Sequence, residues 1–193
     1  MISSPNRPGL SVVVLAALGL AYPFVVYFSQ GRIPAGALVL AALILVAARL
    51  WALRRAASAH ALMPALAMVF AITGILGLVK SETAALAYPV LMSLGMSVAF
   101  GLSLLRPPCL VQCFAALTEP DPSPAATAYM RKVNLVWTLF LGTNAAVSAF
   151  TAYLGDMAVW TLYNGLVSYL LMGILFAVEY AVRRRARARE ARP

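Results

Sequence analysis

The chain has 193 residues, 63% of them hydrophobic and only 11% charged, too little charge to cover the surface of a soluble domain of this length. Its formal net charge of +9 does not point to nucleic acid, because thirteen of the fifteen basic residues are arginines that mostly flank apolar blocks or crowd the last eleven residues. That placement is how topology signals and contacts with anionic lipid look, so one membrane domain, without a nucleic-acid partner, is predicted over residues 1–193.

The first apolar block, 10–28, contains no charge. Arg7 before it and Ala35-Gly36-Ala37 after it are compatible with a signal peptide. The run is longer than a usual signal core, however, and the small residues fall beyond the turn at 31–34, so a retained transmembrane helix is predicted, bent at Tyr22-Pro23. Pro34 opens the second block, 34–50, as proline suits a first helical turn, and Arg49, Arg54 and Arg55 close it as a basic cluster. The third, 62–79, has Pro64 near its start and Lys80 at its end; the fourth is 84–105. Each can cross a hydrocarbon core of roughly 30 Å at about 1.5 Å per residue, the second and third only just.

The polar stretch 106–132 contains Pro107, Pro108, Pro120, Pro122 and Pro124, which excludes one continuous helix; its apolar part, 110–117, is expected along the membrane surface. A fifth span is predicted at 133–153 and, after the Gly155-Asp156 turn, a sixth at 157–182, followed by a basic tail, 183–193. The expected fold is therefore all-α: a polytopic bundle of six transmembrane helices. With the N-terminus inside, thirteen basic residues are cytoplasmic and only Arg32 and Lys80 are outside, so the positive-inside rule predicts both termini in the cytoplasm, with 106–132 a cytoplasmic loop.

Polar side chains in hydrocarbon need partners. On the fifth helix Asn134, Thr138, Asn144, Ser148 and Thr151 fall within about 140° at 100° per residue. On the sixth, Thr161, Asn164, Ser168 and Glu179 share one face. The two stripes should face each other or a shared cavity, as interhelical hydrogen bonds or as a pocket for a lipid headgroup or small amphiphile. Glu179 and Arg183 are spaced for an i,i+4 ion pair near the cytoplasmic interface. Ser93, Ser97 and Gly101, each four apart, form a small-residue face for close helix packing. Trp137, Trp160, Tyr153 and Tyr163 lie toward helix ends, where such rings sit well at headgroup level.

Cys109 and Cys113 are cytoplasmic in this topology, where a disulfide is not expected, and the only histidine is His60. No metal site, cofactor or catalytic residue is therefore assigned: the sequence carries no phosphate loop, paired carboxylates, Ser-His-Asp set or zinc-protease motif.

From about Lys80 onward the sequence resembles the bacterial septation protein A family of inner-membrane proteins. The resemblance lies in Lys80 ahead of Tyr88-Pro89, in Pro107-Pro108-Cys109-Leu110-Val111, in 132–140 (Asn134, Trp137 and Phe140 matching a Leu-Asn-x-x-Trp-x-x-Phe-Phe pattern), and in Trp160 and Asn164. Trp160 and Asn164 are four apart where the family's Trp-Val-Asn is contiguous, and the lysine that follows is missing. A closer resemblance is to an uncharacterised bacterial membrane group related to that family, often encoded beside fatty-acid-synthase-like genes for aryl-polyene pigments. It implies a bacterial inner-membrane location and a role in the cell envelope, without supplying catalytic residues. The expected function is non-enzymatic: binding partner membrane proteins or a lipid in envelope biogenesis, with a homo-oligomer as a further possibility. A carrier or flippase for an amphiphilic or polyene lipid is the second expectation and a membrane-embedded enzyme the third.

Overall fold

The structure, a computed structural model, describes residues 10–54, 56, 58–116 and 123–190. Arg7, Arg55, Pro120, Pro122 and Arg192 lie outside the described residues. Every regular element described is helical: α1 (Leu10–Phe28), α2 (Ala35–Leu53), α3 (Ala59–Val79), α4 (Ser81–Leu105), α5 (Leu110–Ala115), α6 (Pro124–Leu154), α7 (Met157–Leu162) and α8 (Ser168–Glu190), with a π-helical turn, Tyr163–Val167, joining the last two. Five helices are long and apolar enough to cross a membrane: α2, α3, α4, α6 and the continuous rod from Met157 to Arg185. α1 adds a shorter apolar stretch, Ala17–Phe28. The protein is thus an all-α, multi-pass membrane protein.

Local sequence sets most boundaries. Pro34 precedes α2, and one residue, Lys80, in an extended conformation separates α3 from α4. α6 starts at Pro124, well ahead of its apolar block, because the Ser123 hydroxyl caps it by accepting from Ala126 N and proline occupies its first turn. Gly155, at φ 73°, ends α6, and the Asp156 carboxylate at once accepts from Ala158 N and Val159 N to begin α7. The expected basic tail instead continues α8 as far as Glu190, since its Arg and Ala residues are good helix formers.

Lipid supplies no hydrophobic force between helices, so close backbone approach and hydrogen bonds must hold the bundle. α4 lies at its centre, against α2, α3 and α6. Its small residues face α6: Ser97 Oγ donates to Thr138 O at 2.8 Å, Gly101 lies beside the Thr138 methyl and Gly142 beside Ser97. α1 closes the other side against α2, α7 and the π turn. One buried cluster, around Tyr22, Val46, Leu66, Tyr88 and Trp160, joins α1, α2, α3, α4 and α7. A second, around Phe100, Leu110, Trp137 and Leu141, joins α4, α5 and α6.

Two expectations are corrected here. Trp137 and Trp160 do not present their rings at the outer surface of the bundle: both are buried, within the second and first clusters respectively. Arg49 is not merely the end of a span. α2 runs a further turn beyond it, through Leu50-Trp51-Ala52-Leu53, and its side chain enters the bundle. Arg54 alone of the described pair stays outside, its guanidinium 4.3 Å from the Trp51 ring centroid.

Candidate ligand cavity between the helices

The polar residues on α6 and the last rod fall into two kinds of site. The first kind is closed. Asn134, fully buried, donates from Nδ2 to Phe100 O at 2.7 Å and Ser103 Oγ at 3.3 Å, while its Oδ1 accepts from Val111 N at 3.2 Å. Ser103 Oγ also accepts from Leu110 N, so one side chain on α6 ties the start of α5 to the end of α4. Thr138 donates to Asn134 O within the same helix. Asn144 Nδ2 donates to Ser93 Oγ at 2.9 Å, and its Oδ1 accepts from Tyr163 at 2.9 Å. Asn164 Nδ2 donates to Trp160 O and Thr151 Oγ1, and its Oδ1 accepts from Ser148. Ser168 donates to Asn164 O at 3.4 Å.

The stripes therefore meet each other only in their upper half, at Ser148, Thr151 and Asn164. Asn134 faces α4 and α5 instead, and Glu179 lies apart, in an ion pair with Arg183 at 3.4 Å, the one ion pair among the described residues.

The second kind of site is open. A cavity of about 300 Å³ lies between α1, α2, α3, α4, α6 and the last rod, within the size range of small-molecule sites of about 300–1,000 Å³. Arg49, Tyr88, Ser93, Asn144, Asn164, Ser168 and Tyr169 supply its polar wall. Arg49 Cα stands about 21 Å along α2 from Ala35 at about 1.5 Å per residue, and side chains on a helix lean back toward its N-terminus. The guanidinium consequently reaches the middle depth of the bundle, beside Gly19, Tyr88 and Met92. Gly19 is required there: a Cβ at that position would collide with the Arg49 Nη2.

Among the described residues the guanidinium is held only by neutral acceptors. Nη1 donates to Tyr88 Oη at 3.2 Å and weakly to Met92 Sδ at 3.7 Å, and Nη2 donates to Leu15 O at 3.3 Å. Among the described residues no carboxylate lines the cavity. Tyr88 Oη accepts from Arg49, leaving the phenol's own hydrogen without a protein acceptor among the described residues, and the Tyr169 hydroxyl makes no hydrogen bond to them. Tyr22, whose ring meets that of Tyr88 edge-on, is by contrast satisfied by donating to Ala85 O at 3.1 Å. The wall thus presents a positive charge and surplus donors, and its complement is an acceptor-rich anion.

Sequence reasoning placed Arg49 with the topology signals and did not name Tyr88 or Gly19 as site residues. The available signal was the apolar turn after Arg49, which puts that arginine inside a helix rather than at its end. Among the described residues no three His, Cys, Asp or Glu side chains gather as a metal set, and Cys109 and Cys113 are free thiols. No protein-family model matches the chain, and no curated protein or solved structure does either.

Proposed function

We propose that this is a non-enzymatic protein of the bacterial inner membrane that binds an anionic amphiphile between its helices during envelope biogenesis. The observation that carries the reading is Arg49, a guanidinium at mid-depth with, among the described residues, no carboxylate beside it and unused hydroxyl donors around it. A charge held inside a bundle is costly, and where it occurs it faces a cavity and marks a ligand or ion path. Of the two partners expected from the sequence, another membrane protein or a lipid, this geometry favours the lipid. The resemblance to septation protein A-like proteins supports the envelope setting.

The same proposal includes α1 as a sixth span, with both ends of the chain cytoplasmic. Its support is the packing of α1 along α2 and α7 and the count of thirteen basic residues on one side against two on the other. Membrane-impermeant labelling of single cysteines at Gly31 and Ser81, in a background lacking Cys109 and Cys113, tests this arrangement. Both sites should label from the periplasm, and protection of either removes the topology.

Native mass spectrometry of the protein extracted with its lipids tests the binding. A stoichiometric anionic amphiphile on the wild type, absent from Arg49→Gln, is expected. Bulk lipid alone on both proteins overturns the reading. Mid-depth sites also occur in carriers, and a vesicle flip assay with the retained lipid separates carrier from binder.

A further inference from the structure

A second cavity, of about 430 Å³, lies between α4, α5, α6 and α8. Met96, Leu141 and Met172 line both this cavity and the Arg49 chamber, so the two adjoin at a neck of three apolar side chains. Two of the three are methionines, unbranched and able to change shape around a guest. Beyond the neck the walls are mainly aromatic and aliphatic, with the mutually neutralising Glu179–Arg183 ion pair the one charged part of the lining among the described residues. Trp137 lies 4.4 Å from Phe176 and 6.3 Å from Phe100, centroid to centroid, and Phe114 is 6.5 Å from Phe100.

This side of the bundle is loosely closed. The apolar window of the α7–α8 rod is 11% buried against 33% for α6. Phe176 is 57% exposed, so the aromatic cavity opens sideways toward lipid between α6 and α8. A charged, donor-rich chamber joined by an apolar neck to an aromatic compartment with a lateral opening has the layout of a head site and a tail site.

Resting on the amphiphile reading above, we infer that the ligand carries a single acyl chain. Its anionic head, carboxylate or phosphate, accepts from Arg49 and Tyr88. Its chain passes the neck between Met96, Leu141 and Met172 and runs along Trp137 and Phe176 to the opening. Because the chain arrives from lipid and is already out of water, the route supplies selectivity through shape and packing rather than through the hydrophobic effect. The neck makes Met172 a specificity residue: it admits one chain and excludes the two chains of a bilayer phospholipid.

The test uses the full chain in phosphatidylcholine nanodiscs and a sixteen-carbon fatty acid with a photoactivatable diazirine in mid-chain, sites of labelling being mapped by mass spectrometry. Labelling of the wild type is expected at the neck or on Trp137 and Phe176. It should be competed by unlabelled fatty acid and by lysophosphatidic acid, but not by two-chain phosphatidic acid, the neutral monoacylglycerol or inorganic phosphate. Met172→Trp, which fills the neck, should weaken probe binding roughly tenfold, while Met172→Leu stays within about twofold.

Failure of the two ideas is distinguishable. Labelling that is absent, or unchanged in Arg49→Gln, overturns the amphiphile reading and this inference with it. Arg49-dependent labelling that maps away from the neck, or that is competed equally by phosphatidic acid or by inorganic phosphate, overturns the single-chain route alone. Should Met172→Trp fail to fold, the label map on the wild type still decides.

Discussion

At Asn134, Asn144 and Asn164 each amide group meets protein partners on neighbouring helices or turns, whereas Arg49 meets three neutral atoms and no opposite charge. The asparagines behave as clasps: both the amide oxygen and the amide nitrogen of each are engaged by the protein's own groups, even where Asn144 and Asn164 border the chamber. The arginine chamber keeps its strongest group partly unanswered, at a depth where water offers little help. The difference shows that intramembrane polarity alone does not mark a site. What marks it is polarity left over once the protein's own partners have been counted.

The sharpest way to break this contrast is to remove the charge. Arg49→Gln should raise the dissociation constant for an anionic amphiphile at least about tenfold, measured by titration in nanodiscs. Its melting temperature should stay level or rise, since a desolvated charge without an ion partner is not a source of stability. A fall in stability with binding intact would reverse the roles assigned to the two regions. Asn164→Leu is the mirror experiment. It takes the acceptor from Ser148 and the donor from Thr151 Oγ1 and should lower stability by about 1–2 kcal/mol in a reversible unfolding assay, where Arg49→Gln lowers it not at all.

A subtler perturbation is Gly19→Ala. The added methyl displaces the Arg49 guanidinium without removing it, so binding should weaken by about threefold to fivefold and the Arg49→Gln background should abolish that sensitivity. The smallest effect concerns the clasp at Asn134. Burial pushes the Cys113 thiol up from its ordinary range, and Cys109 beside it acts in the same direction. The proton is therefore held at neutral pH, and because the thiolate is the nucleophile, maleimide labelling of Cys113 should be slow until the pH passes the ordinary thiol value of about 8.5. Asn134→Leu, which frees α5, should move the onset of labelling to lower pH. Equal profiles for both proteins would mean that the clasp does not control this segment.

Sequence patterning went furthest where one physical rule acted alone. Long uncharged runs predicted the long apolar helices, and four-residue spacing predicted the close face at Ser93, Ser97 and Gly101 that meets α6. The Glu179–Arg183 pair follows from helix geometry by itself. Patterning gave less where tertiary context chose among partners. The fifth-helix stripe reads as one surface on a helical wheel, yet Asn134 turns to α4 and α5 while Ser148 turns to Asn164. Trp137 and Trp160 have the composition of interfacial residues, but packing places them inside. Arg49 was hidden by its company: next to Arg54 and Arg55 it looks like the end of a span, and only the backward tilt of a helical side chain brings it to the chamber.

Phe24 of α1 lies against Gly165, where an added Cβ would strike its ring, so the first described helix is sealed against the last. The ribosome delivers these two surfaces at opposite ends of synthesis. Until the final rod emerges, the chamber is an open trough: Asn164, Ser168 and Tyr169 are missing from its wall, Asn144 and Ser148 have no partner across it, and the Arg49 cation faces lipid or the insertion machinery. A chain stalled at the Gly155-Asp156 turn thus exposes charge and unpaired amide in hydrocarbon, the signature by which membrane quality control can tell unfinished from finished protein. Closure of α1 on the π turn covers these groups, so the chamber is complete only once the last rod is in place.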